Sequence, residues 1–262
     1  MIRNVMENIL LGNGLWYFEH KLPPDDFYHK EGYWTTSERL DTIARLQKTC
    51  EKLMRKEYKK TTDVLVVVDE QSKYHAGFDP IDFSVIDAIG KSGAGFDRLY
   101  LTDIEKCDIS RYKCVILSGC IVMTKKICDY IVNTVMSDGR TVVFVKGFAW
   151  VVDKETDFER LNAITGVPFN EEYKEFTTES CNVVYMPKIS KDKMYYHDLF
   201  RRSGAHIYTD NGEVVIADNE MVMIHCKDIP HTTLHLKFVD IEIDNPKYST
   251  VVYNVVTGER IL

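Results

Sequence analysis

The feature that most constrains the fold is the uninterrupted apolar run Val64–Val68, which lies between two aspartates. Apolar residues at every position, instead of at alternate positions, are typical of a strand buried on both faces of a parallel sheet. Further strands are predicted over residues 96–101, 114–118 and 141–145, with helices over residues 80–92 and 125–137. This alternation predicts right-handed crossovers and a doubly wound parallel sheet, the α/β fold class, over residues 61–182.

The preceding segment, residues 1–60, contains too few elements to close a core alone. Apolar residues between Ile2 and Leu10 recur at the spacing of one helix face, and Gly12 is placed to end that helix. A short buried strand is predicted over residues 15–18, and a second amphipathic helix is predicted to begin at Ser37.

The last segment, residues 183–262, changes to the two-residue periodicity of strands. Turns such as Asp210-Asn211-Gly212 separate its short apolar stretches. Strands are predicted over residues 206–209, 214–217, 221–225, 233–238 and 251–256. This spacing predicts a small antiparallel β-sandwich.

Composition excludes several classes of partner. The formal net charge is −7, which argues against nucleic acid because phosphate binding needs a surplus of Lys and Arg. No apolar run approaches the roughly 20 residues of a membrane-spanning helix, and the N-terminus does not resemble a signal peptide, so we expect a cytoplasmic protein. The seven cysteines are scattered without C-x-x-C spacing, so we expect reduced thiols and no zinc site.

No cofactor is predicted either. Asp69 and Glu70 follow the first parallel strand at the point where a glycine-rich phosphate-binding turn would lie. Two carboxylates at this position would repel a pyrophosphate, so phosphate-bearing cofactors are not expected.

The first segment contains the candidate sugar-contacting residues. Glu19 directly follows Trp16-Tyr17-Phe18, which is where a barrel strand would present a carboxylate beside an aromatic platform. Asp26 and His29 lie in the next loop, where an acidic, His-containing stretch also fits solvated turn residues, and no metal site is predicted. Glycoside hydrolysis needs two carboxylates that face one bond. Glu19 supplies one, so no catalytic residue is assigned.

The doubly wound segment also permits a hydrolase of the class I glutamine amidotransferase type, with a cysteine at a turn between a strand and a helix. The residues after the strand at 141–145 are Lys146-Gly147-Phe148-Ala149, which include no nucleophile. Cys120 follows the preceding strand, and the nearest candidate histidines, His197 and His206, belong to later parts of the chain. Cys120 is the nucleophile of this alternative.

Taken in order, the three segments resemble family 42 glycoside hydrolases and their β-galactosidase-like relatives. Those proteins combine a (β/α)8 catalytic barrel, a flavodoxin-like or amidotransferase-like domain that mediates trimerisation, and a small β domain. The matching motifs are Gly12–Glu19 and Asp26–His29, then Tyr112–Leu117 and Asp138–Val143, and finally Ser203–Thr209 and Tyr253–Glu259. The family usually has Glu at the position of Asp26, which is shorter by one methylene.

The resemblance implies that residues 1–60 are the end of the barrel, residues 61–182 the trimerisation-type domain and residues 183–262 the terminal β domain. It also implies a set of residues at the edge of the sugar site, namely Trp16, Glu19, Asp26 and His29.

The family's two catalytic glutamates lie on the fourth and seventh barrel strands, and the resemblance gives neither a counterpart here. We therefore expect a non-catalytic scaffold that forms a homo-oligomer, with the trimer as the form that the family implies. The alternatives are binding or cleavage of a β-galactoside by Glu19 together with a partner chain, and the hydrolase that uses Cys120.

Overall fold

The computed structural model describes residues 2–14, 36–53, 59, 61–76, 83–166, 172–226, 231–244 and 246–262. Its helices are α1 (Ile2–Leu10), α2 (Ser37–Leu53), α3 (Glu70–Ala76), α4 (Phe83–Gly90), α5 (Lys125–Tyr130), α6 (Arg160–Thr165) and α7 (Lys193–Arg202). None of the helices within these ranges has both the length and the apolar composition needed to cross a membrane.

The strands divide into one mainly parallel sheet and three antiparallel or mixed ones. The first nine are β1 (Val64–Val68), β2 (Phe96–Tyr100), β3 (Cys114–Ser118), β4 (Val122–Met123), β5 (Thr141–Val145), β6 (Val151–Val152), β7 (Glu155–Thr156), β8 (Lys174–Thr177) and β9 (Asn182–Met186). The remaining five are β10 (Val214–Ala217), β11 (Met221–Cys226), β12 (His231–His235), β13 (Asp240–Asp244) and β14 (Ser249–Asn254).

The central sheet has the strand order β2-β1-β3-β5-β9-β8. Its first five strands pair in parallel, and β8 pairs antiparallel with β9. Every residue of β1, β3 and β5 is buried, which confirms the α/β prediction drawn from the apolar runs. Because side chains alternate along a strand, Leu65 and Val67 enter one core, while Val66 and Val68 enter the core on the opposite face.

The second core needs a helix that was not predicted from the sequence. Helix α7 places Tyr196, Leu199 and Phe200 against β1, β3 and β5, at the spacing of one helix face. Asp192 caps its first turn by accepting a hydrogen bond from the Met194 backbone N–H at 2.9 Å. A cap followed by this apolar stripe is the sequence signal that would have revealed the helix.

The parallel sheet therefore continues beyond the predicted boundary at residues 182/183. The boundary cuts β9, whose residues 182–186 pair in parallel with β5. The two antiparallel sheets of the C-terminal part begin after α7, because β9 and α7 complete the two cores of the parallel sheet.

The C-terminal part contains two antiparallel sheets, β10-β11-β14 and β12-β13, whose apolar faces share one core. Four of the five predicted strands are present; β10 has the predicted ends, and the ends of the other three differ. The predicted strand at residues 206–209 is reduced to a single bridge between Thr209 and Leu234, and β13 was not predicted. Residues 240–244 do alternate between polar and apolar, but the three polar positions are Asp and Glu, which are depleted in strands.

The N-terminal helices pack against this same β region. Val5, Met6 and Leu10 of α1 lie in a core with Met221 and Met223 of β11, on the face opposite the shared core. Strand β11 is thus covered on both faces, which explains its nearly continuous burial.

Arg140 joins α5 to the sheet. The helix continues as one π-helical turn over Ile131–Val135, and the carbonyl oxygens at its end accept hydrogen bonds from the buried Arg140 guanidinium. The Nη1 donates to Val135 O at 2.7 Å and to Thr134 O at 3.0 Å, and the Nε donates to Tyr112 O at 2.9 Å. A cation at a helix C-terminus is favourable because the unpaired carbonyls carry partial negative charge.

We expect Arg140→Met to lower the free energy of unfolding by about 2–4 kcal/mol, because methionine fills similar space but leaves buried carbonyl groups without a donor. Urea denaturation checks this value. The matched control is Arg202→Met, which removes an exposed pair with Glu175 at 2.8 Å and should cost less than about 1 kcal/mol. Equal losses in the two variants would contradict the assigned role of Arg140.

Candidate functional site

The residues predicted to contact sugar lie outside the described ranges. Trp16, Glu19, Asp26 and His29 all fall between residues 15 and 35, so their sugar contacts stay predictions. The site that the structure does describe is the carboxyl edge of the parallel sheet.

Strand order reverses between β1 and β3, so their carboxyl ends form the crevice in which open α/β sheets commonly bind ligands. Asp69, directly after β1, is buried and caps α3. Its carboxylate accepts hydrogen bonds from the backbone N–H of Ser72 at 2.9 Å and of Gln71 at 3.3 Å, and from the Ser72 hydroxyl. Both carboxylate oxygens of Asp69 therefore cap the first turn of α3.

Ser72 closes the other side of this crevice. Its Oγ accepts hydrogen bonds from the backbone N–H groups of Ile121 and Val122, each at 3.1 Å, while its own proton is donated to Asp69. Neighbouring backbone N–H groups of this kind often bind a phosphate or an oxyanion in other proteins. Here both N–H groups donate to the Ser72 side chain, so they are not free to bind a ligand.

The turn after β5 has strained backbone but lacks a nucleophile. Lys146 has φ of 66°, in the left-handed region that non-glycine residues rarely adopt. Gly147 follows, and a Cβ at this position would clash with the Trp150 indole. The turn is therefore tight, but it leads into strand β6 and not into a helix, and the residue that follows β5 is a half-buried lysine.

Cys120 is sealed in the core. It has no exposed surface, and its Sγ contacts the carbonyl oxygens of Val67 at 3.7 Å and Ser118 at 3.9 Å. Burial, with a smaller contribution from the charge of Asp69, raises the pKa of this thiol well above its ordinary value. Since the thiolate is the nucleophilic form, the structure argues against catalysis by Cys120.

The histidines considered as partners for Cys120 are engaged elsewhere. His197 is buried on α7, with Nδ1 at 2.9 Å from Ser92 O and Nε2 at 2.8 Å from Arg201 Nη2. His206 has its Nε2 at 2.9 Å from His235 O. Among the described residues, no group of three or more His, Cys, Asp or Glu side chains is arranged to hold a metal ion.

A cavity of about 470 Å³ lies above this edge. Its lining includes Gln71 and His75 of α3 and, from the β6–β7 turn, Asp153 and Lys154, which both have left-handed backbone. Asp153 accepts a hydrogen bond from the Lys125 backbone N–H at 3.2 Å. Apart from Asp69, the rest of the lining is aliphatic residues, Met123 and threonines, with no cysteine or serine.

A second polar cluster joins the β region to α7. The His235 ring lies between two carboxylates, with Nε2 at 2.8 Å from Asp210 Oδ2 and Nδ1 at 3.0 Å from Asp240 Oδ1. Both ring nitrogens must carry protons to bond both carboxylates, so the geometry favours the imidazolium. Arg201 of α7 reaches the same Asp210 at 3.5 Å.

The pKa values of this cluster shift in the direction that the geometry requires. Burial by itself lowers the pKa of His235, but its hydrogen bonds to Asp210 and Asp240 outweigh that effect, and the net shift is upward. The hydrogen bond from His235, opposed by partial burial, lowers the pKa of Asp210.

Solved structures that resemble this chain in fold include two β-galactosidases. A cold-adapted β-galactosidase from Rahnella sp. R3 has a TM-score of 0.55 and 11% sequence identity, with 84% of this chain and 45% of that chain covered. A family 42 β-galactosidase from G. stearothermophilus, solved as a catalytic mutant, has a TM-score of 0.54 and 10% identity, with 87% of this chain and 42% of that chain covered. This chain therefore spans less than half the length of either enzyme. No family model and no curated protein matches the sequence.

Thiol reactivity tests the sealed state of Cys120. We expect iodoacetamide to modify the partly exposed Cys50 and Cys107 first, and Cys120 only after unfolding in urea, as followed by mass spectrometry. Cys120→Ala should leave the native labelling pattern unchanged. Early modification of Cys120 in the folded protein would contradict its burial.

The pH dependence of stability tests the His235 cluster. Because the pKa of His235 is higher in the folded state, its protonated ring stabilises the fold fully at pH values below the unfolded pKa of about 6.5. This stabilisation is lost as the pH rises through the folded-state pKa. We therefore expect His235→Gln to cost about 0.5–1 kcal/mol near pH 6 and progressively less towards pH 8, by urea denaturation. The control is His231→Gln, which removes a single exposed contact with Asp244 at 3.2 Å and should have a smaller effect. A pH-independent loss in His235→Gln would refute the ionic role.

Proposed function

We propose that this chain is a non-catalytic C-terminal region of a β-galactosidase-like glycoside hydrolase and acts as an oligomerisation and structural scaffold. The observation that carries the proposal is the coverage of the structural match: most of this chain superposes on less than half of each β-galactosidase. The motif resemblance found in the sequence points to the same enzymes.

Strand order supports assigning the parallel sheet to the family's flavodoxin-like, trimerisation-type domain. Numbered along the chain, the parallel strands β1, β2, β3, β5 and β9 lie in the spatial order second, first, third, fourth, fifth. This is the order of flavodoxin-like doubly wound sheets.

The carboxyl edge supports a non-catalytic role for this domain. The Ser72 hydroxyl accepts hydrogen bonds from the backbone N–H groups after β3, and Lys146 lies in the strained turn after β5. Cys120 is buried, which raises the pKa of its thiol. An amidotransferase-like hydrolase needs an accessible nucleophile at this edge, so the alternative based on Cys120 is not favoured. In this proposal, the two glutamates of a glycosidase would have to come from a barrel supplied elsewhere.

The purified chain should not hydrolyse 2-nitrophenyl β-galactoside above the buffer rate, because one carboxylate cannot act on both sides of a glycosidic bond. Sedimentation velocity should show a homo-oligomer, with a trimer as the form that the family resemblance implies. A monomer at high micromolar concentration would contradict the oligomerisation role.

Glu19 provides the decisive comparison for the catalytic question. Turnover that is lost in Glu19→Gln but retained in the matched surface variant Glu38→Gln would overturn the non-catalytic proposal and favour the alternative in which Glu19 acts on a sugar. Turnover that survives both substitutions would indicate a contaminating enzyme, which repurification would remove.

A further inference from the structure

The cavity of about 470 Å³ at the carboxyl edge of the parallel sheet is large enough for a small organic ligand. Its lining comes from the segments that follow β1 and β3, between which the strand order reverses. Open α/β sheets commonly bind ligands at this position. The proposed scaffold function gives the cavity no role.

Five exposed polar side chains of the lining have unused hydrogen-bonding groups. Within the described part of the chain, none of the five side chains makes a hydrogen bond or an ion pair: Gln71, His75, Thr102, Lys154 and Thr156. Together they offer an amide, an imidazole, two hydroxyls and an ammonium, which include both donors and acceptors. They can therefore bind a ligand without breaking any contact within the protein.

The lysine of this set lies in a strained turn. Strands β6 and β7 are joined by Asp153 and Lys154, whose φ values are 47° and 75°. Positive φ at both central residues defines the type I′ turn, in which the second residue is usually glycine. Lysine adopts this backbone at a cost that glycine would avoid, and such strain is found most often at functional sites.

The charges of the lining disfavour an anionic ligand. Asp153 and Lys154 carry opposite charges, and the carboxylate of Asp69 is buried and hydrogen-bonded to the start of α3. An anion would be repelled by two carboxylates and attracted by one ammonium. An uncharged ligand avoids this repulsion.

The apolar part of the lining is more buried than the polar part. It consists of Leu101, Val122, Met123, Ile127 and Val151, all of them buried or half-buried. A matching ligand has one apolar face and several groups that both donate and accept hydrogen bonds. A pyranose ring has both features, because its C–H bonds form an apolar patch and each hydroxyl is a donor and an acceptor.

We propose that this cavity binds an uncharged pyranose sugar. The C–H face of the ring lies on the aliphatic residues, and its hydroxyl groups form hydrogen bonds with Gln71, Lys154 and Thr156. No covalent bond is made or broken, so this is a binding site and not a catalytic one. The proposal does not depend on the scaffold function, and it uses other residues than the predicted sugar site at Trp16 and Glu19.

The test is saturation-transfer difference NMR with the full chain and the methyl β-glycosides of galactose, glucose and N-acetylglucosamine, each titrated into the tens of millimolar. We expect saturable transfer to at least one of them. Gln71→Leu and Thr156→Val should each weaken that binding about fivefold, as for loss of one hydrogen bond. The matched control is Thr177→Val, at an exposed threonine of β8 outside this cavity, which should leave binding unchanged.

Lys154→Gly separates binding from folding. Glycine relieves the strain of the turn, so the urea midpoint should not fall, whereas sugar binding should weaken about fivefold. A lysine that serves only the fold would leave sugar binding unchanged.

The charge of the ligand is tested with the uronic acid of the sugar that binds, which should bind more weakly because of Asp69 and Asp153. Absence of saturable transfer to all three glycosides would overturn the proposal. Sugar binding that survives all three cavity substitutions would also overturn it, as would equal binding of the uronic acid or displacement of the sugar by adenosine at lower concentration.

Discussion

Burial of β1, β3 and β5 on both faces is the constraint on which the rest of the structure depends. A parallel sheet needs a helical layer on each side, because its side chains point alternately to the two faces. Helix α5 and its π-helical extension cover one face, and α4 and α7 cover the other. The chain must therefore return to the sheet through β9 and α7 before it enters the antiparallel region, which places that region next to α7.

The same constraint shapes the carboxyl edge. Parallel strands end together at one edge, and the loops that leave them must satisfy their backbone groups. Here Ser72 and Asp69 do so from within the protein, joining the start of α3 to the loop after β3. The backbone N–H groups of Ile121 and Val122, which in this kind of crevice could bind a ligand, here form hydrogen bonds within the protein. That is consistent with a domain whose proposed work is assembly.

Much of the doubly wound sheet could be predicted because its signal is local. The runs Val64–Val68 and Thr141–Val145 are short, rich in β-branched residues and apolar at nearly every position, a pattern typical of strands buried on both faces. Helix α7 was missed because its polar residues, including Arg201 and Arg202, hide a stripe that repeats only over two turns. Strand β13 was missed because three of its five residues are Asp or Glu, which have low strand propensity, although its polar and apolar residues alternate.

The candidate site was less accessible to sequence reasoning. The acidic character of the turn after β1 argued against a phosphate, but the hydrogen-bond partner of Asp69 could not be foreseen. Ser72 reaches Ile121 across a separation of 49 residues, and His235 meets Asp210 across 25. Such contacts depend on how the loops and helices pack. The sequence around a serine or histidine does not indicate which distant residue it will contact.

By itself, then, the sequence determined the alternation of strands and helices, the burial of the central strands and the acidic turn after β1, since each follows from the chemistry of adjacent residues. Only the tertiary structure decided that Cys120 is buried, that Arg140 caps the end of a helix, and that His235 lies between Asp210 and Asp240. These features arise from residues far apart in the chain, whose accessibility and charge pairing depend on the packing of several elements at once.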